Sequence, residues 1–352
     1  MRLVLFCNNG IGDKLLDIIG LSTYSFITNK KCEFILNDLI KDYNFGMKNY
    51  YNVNFFNFNN IIVKNTYINN DDDNDDDNDE ILLISSKFNK NSKKYNNVAL
   101  ENKAEDYIIP DIIINNEKNI EYYFHCISYS PVNINKNLND FSLEYISDVY
   151  SKFGENIKPS DFIESLIPNG LNNSYGIHLR RTDKIKSNIE YDIKKNVYLH
   201  IWSNSIDEYN YIIDKTKEYI LNIIKNNKND SFFVCSEDKE YKLYFQNWII
   251  ENGGKIIVIN EELLNENENE NENEQILPIL EMFCLSRCKE IIQGVKYSSY
   301  SITAALIGKY KKITNFLDID DNFTNIFKSV LNINNSRINL DVIYSIIDKY
   351  II

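Results

Sequence analysis

Two hydrophobic spacings alternate along this chain. Short apolar runs at 2–7, 33–36, 81–85 and 112–114 read as strands in the first half. After the first run, Leu15, Leu16, Ile18, Ile19 and Leu21 recur at helical spacing. That spacing predicts a helix over about 14–27, with Asp13 as its N-cap. Helices are expected again at about 140–153 and 160–167, before Pro168, Asn169 and Gly170 break the pattern. The second half is more regular. Strands are predicted at 174–180, 231–235, 255–259, 290–293 and 312–316. Helices are expected between them at about 197–225, 239–251, 276–288 and 299–307. A final apolar pattern at 338–352 reads as a helix that packs back on the body.

Strands alternating with helices imply α/β architecture with parallel, doubly wound sheets. The break at Pro168–Gly170 divides the chain into two Rossmann-type domains, 1–170 and 171–352. Two polar stretches fall outside the pattern. Residues 69–80 are an Asp-rich tract and residues 265–274 an Asn/Glu alternation. Neither carries the apolar residues a core needs, so both are expected to be surface inserts.

Composition changes this picture in a few places. Hydrophobic residues make up 43% of 352, with 25 Tyr and 19 Phe, enough for two cores. The formal charge is −13, but the 13 carboxylates of the two inserts account for all of it. The rest of the chain is near neutral, and no basic stripe exists to follow a nucleic-acid backbone. No apolar run reaches the roughly 18 residues of a membrane helix, and the start lacks a signal-peptide core. The six cysteines form no C-x-x-C pair and sit mainly in apolar runs, as reduced buried thiols do. These features place the protein in the cytoplasm. Cys284 and Cys288 lie four apart on a predicted helix but have no histidine nearby, so no metal site is expected.

The chemistry concentrates at strand ends, where parallel sheets bind their ligands. The run Tyr175–Leu179 delivers His178, Arg180, Arg181, Thr182, Asp183 and Lys184 to the end of one strand. Side chains alternate along an extended backbone, so adjacent arginines face opposite ways. One faces the ligand side and the other braces the loop. A guanidinium fork is well matched to phosphate oxygens. Gly10-Ile11-Gly12, after the first strand, either presents backbone N–H groups to an anion or makes a tight turn. Glu237 and Asp238 end the strand 231–235; they accept hydrogen bonds from a ligand or cap the next helix. Ser298 and Ser299 precede a helix and offer O–H and N–H donors there, or simply cap it.

The string HLRRTDK, 178–184, resembles the nucleotide-sugar motif of the α1,6-fucosyltransferases, nodulation fucosyltransferases and protein O-fucosyltransferases. Three later pieces resemble the same superfamily in order: FFVCSEDKE at 232–240, ILEMFCLSRCKEII at 279–292 and YSSYSITAALIG at 297–308. The resemblance spans about 175–307. It implies a GT-B fold, two Rossmann-type domains facing a cleft, and inverting transfer of fucose from GDP-fucose to a glycan hydroxyl. It also implies that no metal is required, because arginine and backbone donors replace the cation.

By the same resemblance, His178, Arg180, Arg181, Asp183, Lys184, Glu237, Asp238, Glu281, Ser298, Ser299 and the Gly10–Gly12 turn bind the donor. Arg180 additionally stabilises the leaving diphosphate. The chain departs from the pattern at the expected base, where Asn188 stands in place of a Glu. Glu190 and Asp192 are the nearest carboxylates and the candidate bases. Two alternatives stay open: a transferase using another GDP- or UDP-sugar, and a nucleotide-sugar-binding protein without catalysis.

Overall fold

The computed structural model describes residues 2–6, 10–28, 31–35, 53–58, 61, 63–64, 82–84, 96–98, 121–125, 145, 149, 152–181, 185, 205–227, 229–260, 270–295, 298–309 and 311–316. They fall into two units, one running to Ser160 and the other starting at Asp161. The strand expected at 112–114, the tract 69–80, the helix 338–352 and most of the helix 140–153 lie outside the described residues. So do Thr182, Asp183, Lys184, Asn188, Glu190, Asp192 and His200.

The first unit is built on β1 (Arg2–Phe6), α1 (Ile11–Thr28), β2 (Lys31–Ile35), β3 (Phe56–Phe58), β4 (Val63–Lys64), β5 (Leu82–Ile84), β6 (Asn96–Val98), β7 (Glu121–His125) and β8 (Ile157–Pro159). Six of these strands form one sheet in the order β4-β2-β1-β7-β5-β6, with every pair parallel. β3 and β8 pair antiparallel as a separate ribbon. The strands absent from the sequence reading, β3, β4, β6, β7 and β8, are two to five residues long. Runs that short carry little periodicity. α1 buries Ile11, Leu15, Leu16, Ile18 and Ile19, the face that its spacing predicts. It starts earlier than expected. Lys14 N–H donates to Gly10 O at 3.0 Å, so the first turn closes on Gly10. Asp13 and Gly12 therefore lie inside the helix, and Asp13 is not its N-cap.

The second unit contains α2 (Asp161–Leu166), β9 (Ser174–Leu179), α3 (Ile206–Asn226), β10 (Ser231–Ser236), α4 (Lys239–Glu251), β11 (Lys255–Ile257), α5 (Glu270–Arg287), β12 (Glu290–Gly294), α6 (Ser299–Ile307) and β13 (Lys312–Asn315). The five strands form one parallel sheet in the order β11-β10-β9-β12-β13. The chain steps outward from β9 to β10 and β11, then returns to the other side of β9. That return makes the gap between β9 and β12 the topological switch point.

Alternation along β9 and β10 sorts the two faces. Ile177, Leu179, Phe232 and Val234 join Ile213, Ile220, Phe245 and Ile249 of α3 and α4 in one core cluster. Gly176, His178, Phe233 and Cys235 point the other way, toward α5 and α6. At Gly176 a Cβ would lie 2.7 Å from Leu285 Cδ2, so only glycine lets α5 approach β9 this closely. Thus α3 and α4 cover one face, and α5 and α6 the other.

Two helix boundaries differ from expectation. α3 begins at Ile206 because Ser205 and Glu208 form a capping box, Ser205 N–H donating to Glu208 Oε2 at 2.8 Å. α5 begins at Glu270, so the second half of the expected insert 265–274 is helical. Glutamate is a good helix former, and here it outweighs the asparagines. Among the described residues no helix is long and apolar enough to cross a membrane.

Candidate functional site

The carboxyl end of β9 brings the sequence motif to the switch point. His178 stands in register between Cys235 of β10 and Gln293 of β12. All three are buried, and matching register puts them on the same face of the sheet. His178 Nδ1 lies 2.7 Å from Ser301 Oγ, and its ring centroid is 4.9 Å from that of Tyr300. The motif strand therefore touches the first turn of α6 directly. Tyr300 O–H donates to Pro278 O, tying that turn to α5.

The N-terminus of α6 is the second part of the site. Ser298 occupies the N-cap position with extended backbone, but its side chain makes no capping bond. It is 1% exposed, and its Oγ has no hydrogen-bond partner among the described residues. A buried hydroxyl left this way is uncommon. It sits where helix N–H groups also lack intrahelical partners. An anion would satisfy both. Ser299 is buried beside it.

Both arginines lie just past the end of β9. Arg181 braces the loop. Its backbone N–H donates to Glu237 Oε1 at 2.6 Å, its guanidinium is 3.7 Å from Asp238 Oδ2, and it lies 5.0 Å from the Tyr241 ring centroid. Arg180 follows the last residue of β9 and is half-buried. Tyr209 and Tyr241 pack nearby with ring centroids 6.5 Å apart. Burial raises the pKa of both, so they stay neutral hydroxyls beside the arginine.

The acidic candidates are engaged within the fold. Asp238 is the N-cap of α4, its Oδ1 accepting from Tyr241 N–H at 2.9 Å. Glu237 is exposed and accepts the Arg181 amide. Glu281 does not lie on a solvated helix face. It is 6% exposed and accepts from Lys242 Nζ at 2.7 Å. Gly10 and Gly12 lie in the first unit, at the start of α1. Gly10 is exposed and Gly12 buried.

Several residues at these strand ends were not marked by the sequence. Ser301, Tyr300, Gln293 and Lys242 line the second-unit site, and Lys14 is 2% exposed in the first turn of α1. A charged side chain so deeply buried is rare. The sequence signal for Lys14 was its place two residues after Gly12, which reads equally as an ordinary helix residue. Cys235, Cys284 and Cys288 are buried and free. Burial pushes all three thiols up, Cys288 to about 12, so none is a ready thiolate. Among the described residues no group of three or more His, Cys, Asp or Glu is placed to hold a metal.

No protein-family model matches the chain, and no curated protein matches it by sequence. Solved structures do match it. An arginine-to-lysine mutant of Arabidopsis thaliana FUT1 in complex with GDP aligns at a TM-score of 0.50 and 11% identity, covering 87% of this chain and 68% of that one. POFUT1 in complex with GDP-fucose aligns at 0.47 and 11%, covering 87% and 94%. NodZ α-1,6-fucosyltransferase soaked with GDP-fucose aligns at 0.44 and 12%, covering 87% and 92%. The FUT1 likeness is one of fold, an α/β chain of Rossmann-like, GT-B type.

Proposed function

We propose that this chain is an inverting glycosyltransferase that moves fucose from GDP-fucose to a hydroxyl of a glycan or glycoconjugate. The observation that carries the reading is the 2.7 Å contact between His178 and Ser301. It joins the H-x-R-R strand end to the N-terminus of α6, where the buried Ser298 hydroxyl has no protein partner among the described residues. On this reading, arginine, hydroxyl and helix N–H donors at the switch point serve one anion. A nucleoside diphosphate presents the matching charge.

On this reading the second unit holds the donor and the first unit shapes the acceptor side. Breaking the sugar–phosphate bond places negative charge on the β-phosphate. Arg180 stabilises that charge by charge-assisted hydrogen bonds, with Ser298, Ser299 and the α6 amides completing the cradle. These donors take the part a divalent cation plays elsewhere, so transfer is metal-independent. Arg181, tied to Glu237, Asp238 and Tyr241, fixes the start of the segment whose sequence carries Asp183 and Lys184. Glu190 or Asp192 takes the acceptor proton. Buried, free cysteines accord with a cytoplasmic enzyme.

Asn188, standing where a base is expected, favours one second reading: a nucleotide-sugar-binding protein without catalysis. A thermal-shift series with GDP, UDP, GDP-fucose and GDP-mannose tests the donor class, followed by a transfer assay. A ligand at a hundred times its dissociation constant stabilises by about 2.7 kcal/mol. GDP and GDP-fucose should raise the melting temperature and UDP should not. Equal response to UDP overturns the guanine assignment. Donor binding without turnover on any glycan selects the non-catalytic reading.

A further inference from the structure

Ser301 lies on α6 and is wholly buried. Two other buried hydroxyls on helices, those of Thr23 and Thr216, turn back to the carbonyl one turn earlier. Thr23 Oγ1 donates to Ile19 O and Thr216 Oγ1 to Ile212 O, each at 2.8 Å. Ser301 sits too close to the start of α6 for that habit, and among the described residues its hydroxyl meets only His178 Nδ1. A hydroxyl carries one hydrogen to donate and tolerates an unused lone pair far better than a buried, unshared O–H. The hydrogen therefore goes to the imidazole.

We propose that Ser301 is a positioning residue that donates to His178 Nδ1 and holds the ring as the neutral tautomer with its hydrogen on Nε2. Tyr300 fixes the plane of the same ring. Its centroid stands 4.9 Å from the imidazole, and its own O–H is anchored on Pro278 O. Two consecutive residues of α6 thus set both the orientation and the hydrogen-bonding polarity of His178. The consequence for function rests on the donor-site reading. An Nε2–H is a hydrogen-bond donor suited to phosphoryl oxygen, whereas the Nδ1–H tautomer would leave an acceptor nitrogen in its place.

The test uses the full chain labelled with 15N-histidine, free of ligand and near neutral pH. The sequence has three histidines, so His125→Gln and His200→Gln variants identify the His178 signals by elimination. Long-range 1H–15N spectra should show His178 Nε2 as the protonated nitrogen and Nδ1 as the unprotonated one. Ser301→Ala should shift the ring toward a mixture of tautomers and weaken GDP binding by about two- to tenfold, the size of one neutral hydrogen bond. Ser301→Thr, which keeps the hydroxyl, should restore the tautomer.

A wild-type ring protonated on Nδ1, or on both nitrogens, overturns the proposal. So does a tautomer unchanged in folded Ser301→Ala. If that variant does not fold, the wild-type spectrum decides alone. A wild-type Nε2–H ring in a protein that binds no GDP upholds the Ser301 assignment and overturns the donor-site reading instead.

Discussion

Lys242 Nζ donates to Glu281 Oε1 across 2.7 Å, with both side chains largely withdrawn from solvent. The bond joins the first turn of α4 to α5, helices that cover opposite faces of the second sheet. It follows that Glu281 is bound into the protein's own framework. Removing one partner of a buried pair leaves a desolvated charge, and that destabilises by about 3–5 kcal/mol. Lys242→Met and Glu281→Leu should each lower stability by that order in urea unfolding. The double substitution should recover most of the loss, because it removes both charges. Additive losses would show that the two groups act independently.

Arg180 and Arg181 should behave differently despite being neighbours. Arg180→Ala is expected to weaken GDP binding by about tenfold or more, the value of a charge-assisted contact, and to reduce transfer further still. Arg180→Lys should recover only part, because an ammonium lacks the bidentate fork. Arg181→Ala removes a stacking contact with Tyr241 worth about 0.5–1 kcal/mol and an exposed ion pair of similar or smaller value. It should lower the melting temperature slightly and affect GDP binding less than Arg180→Ala. Calorimetry with GDP and melting curves on both variants decide the order.

Transfer should persist in excess EDTA, since the proposed cradle is made of arginine, hydroxyl and amide donors. Loss of activity restored by Mg²⁺ or Mn²⁺ would assign the diphosphate to a metal-bridged site.

Stability should fall at alkaline pH through Tyr219. Burial and the hydrogen bond to Glu290 push its pKa from 10.0 to about 12. The folded state thus favours the protonated phenol. That contribution is complete below pH 10 and is lost as pH rises through about 12. Tyr219→Phe should be less stable than wild type near neutrality, having lost the 2.8 Å bond to Glu290. Its stability should also fall less steeply between pH 10 and 12, the two pKa limits. Parallel urea titrations across that range make the comparison.

The Asn/Glu alternation is divided by the start of α5. Shortening residues 265–269 should leave the melting temperature nearly unchanged. Removing 270–274 takes more than a turn from α5 and should lower it. Equal tolerance of both deletions would show that the first turns of α5 contribute nothing.

Local order was written into the sequence. Period-two alternation in Tyr175–Leu179 already placed His178 and Leu179 on opposite faces, because an extended backbone permits nothing else. The apolar spacing of α1 identified its buried face, and the succession of strands and helices implied parallel sheets. Boundaries set by weak signals were less legible: Gly10 rather than Asp13 closes the first turn of α1, and glutamates carry α5 back to Glu270.

What only the tertiary structure decided was proximity across the chain. The return of β12 to the free side of β9 sets Gln293 beside His178 and brings the start of α6 within hydrogen-bonding distance of a residue 123 positions earlier. Lys242 and Glu281 meet for the same reason. Sequence periodicity reports which face of an element is buried, since burial follows from local geometry. It carries no record of which element will cover that face, because strand order is settled by the packing of the whole sheet and its helices.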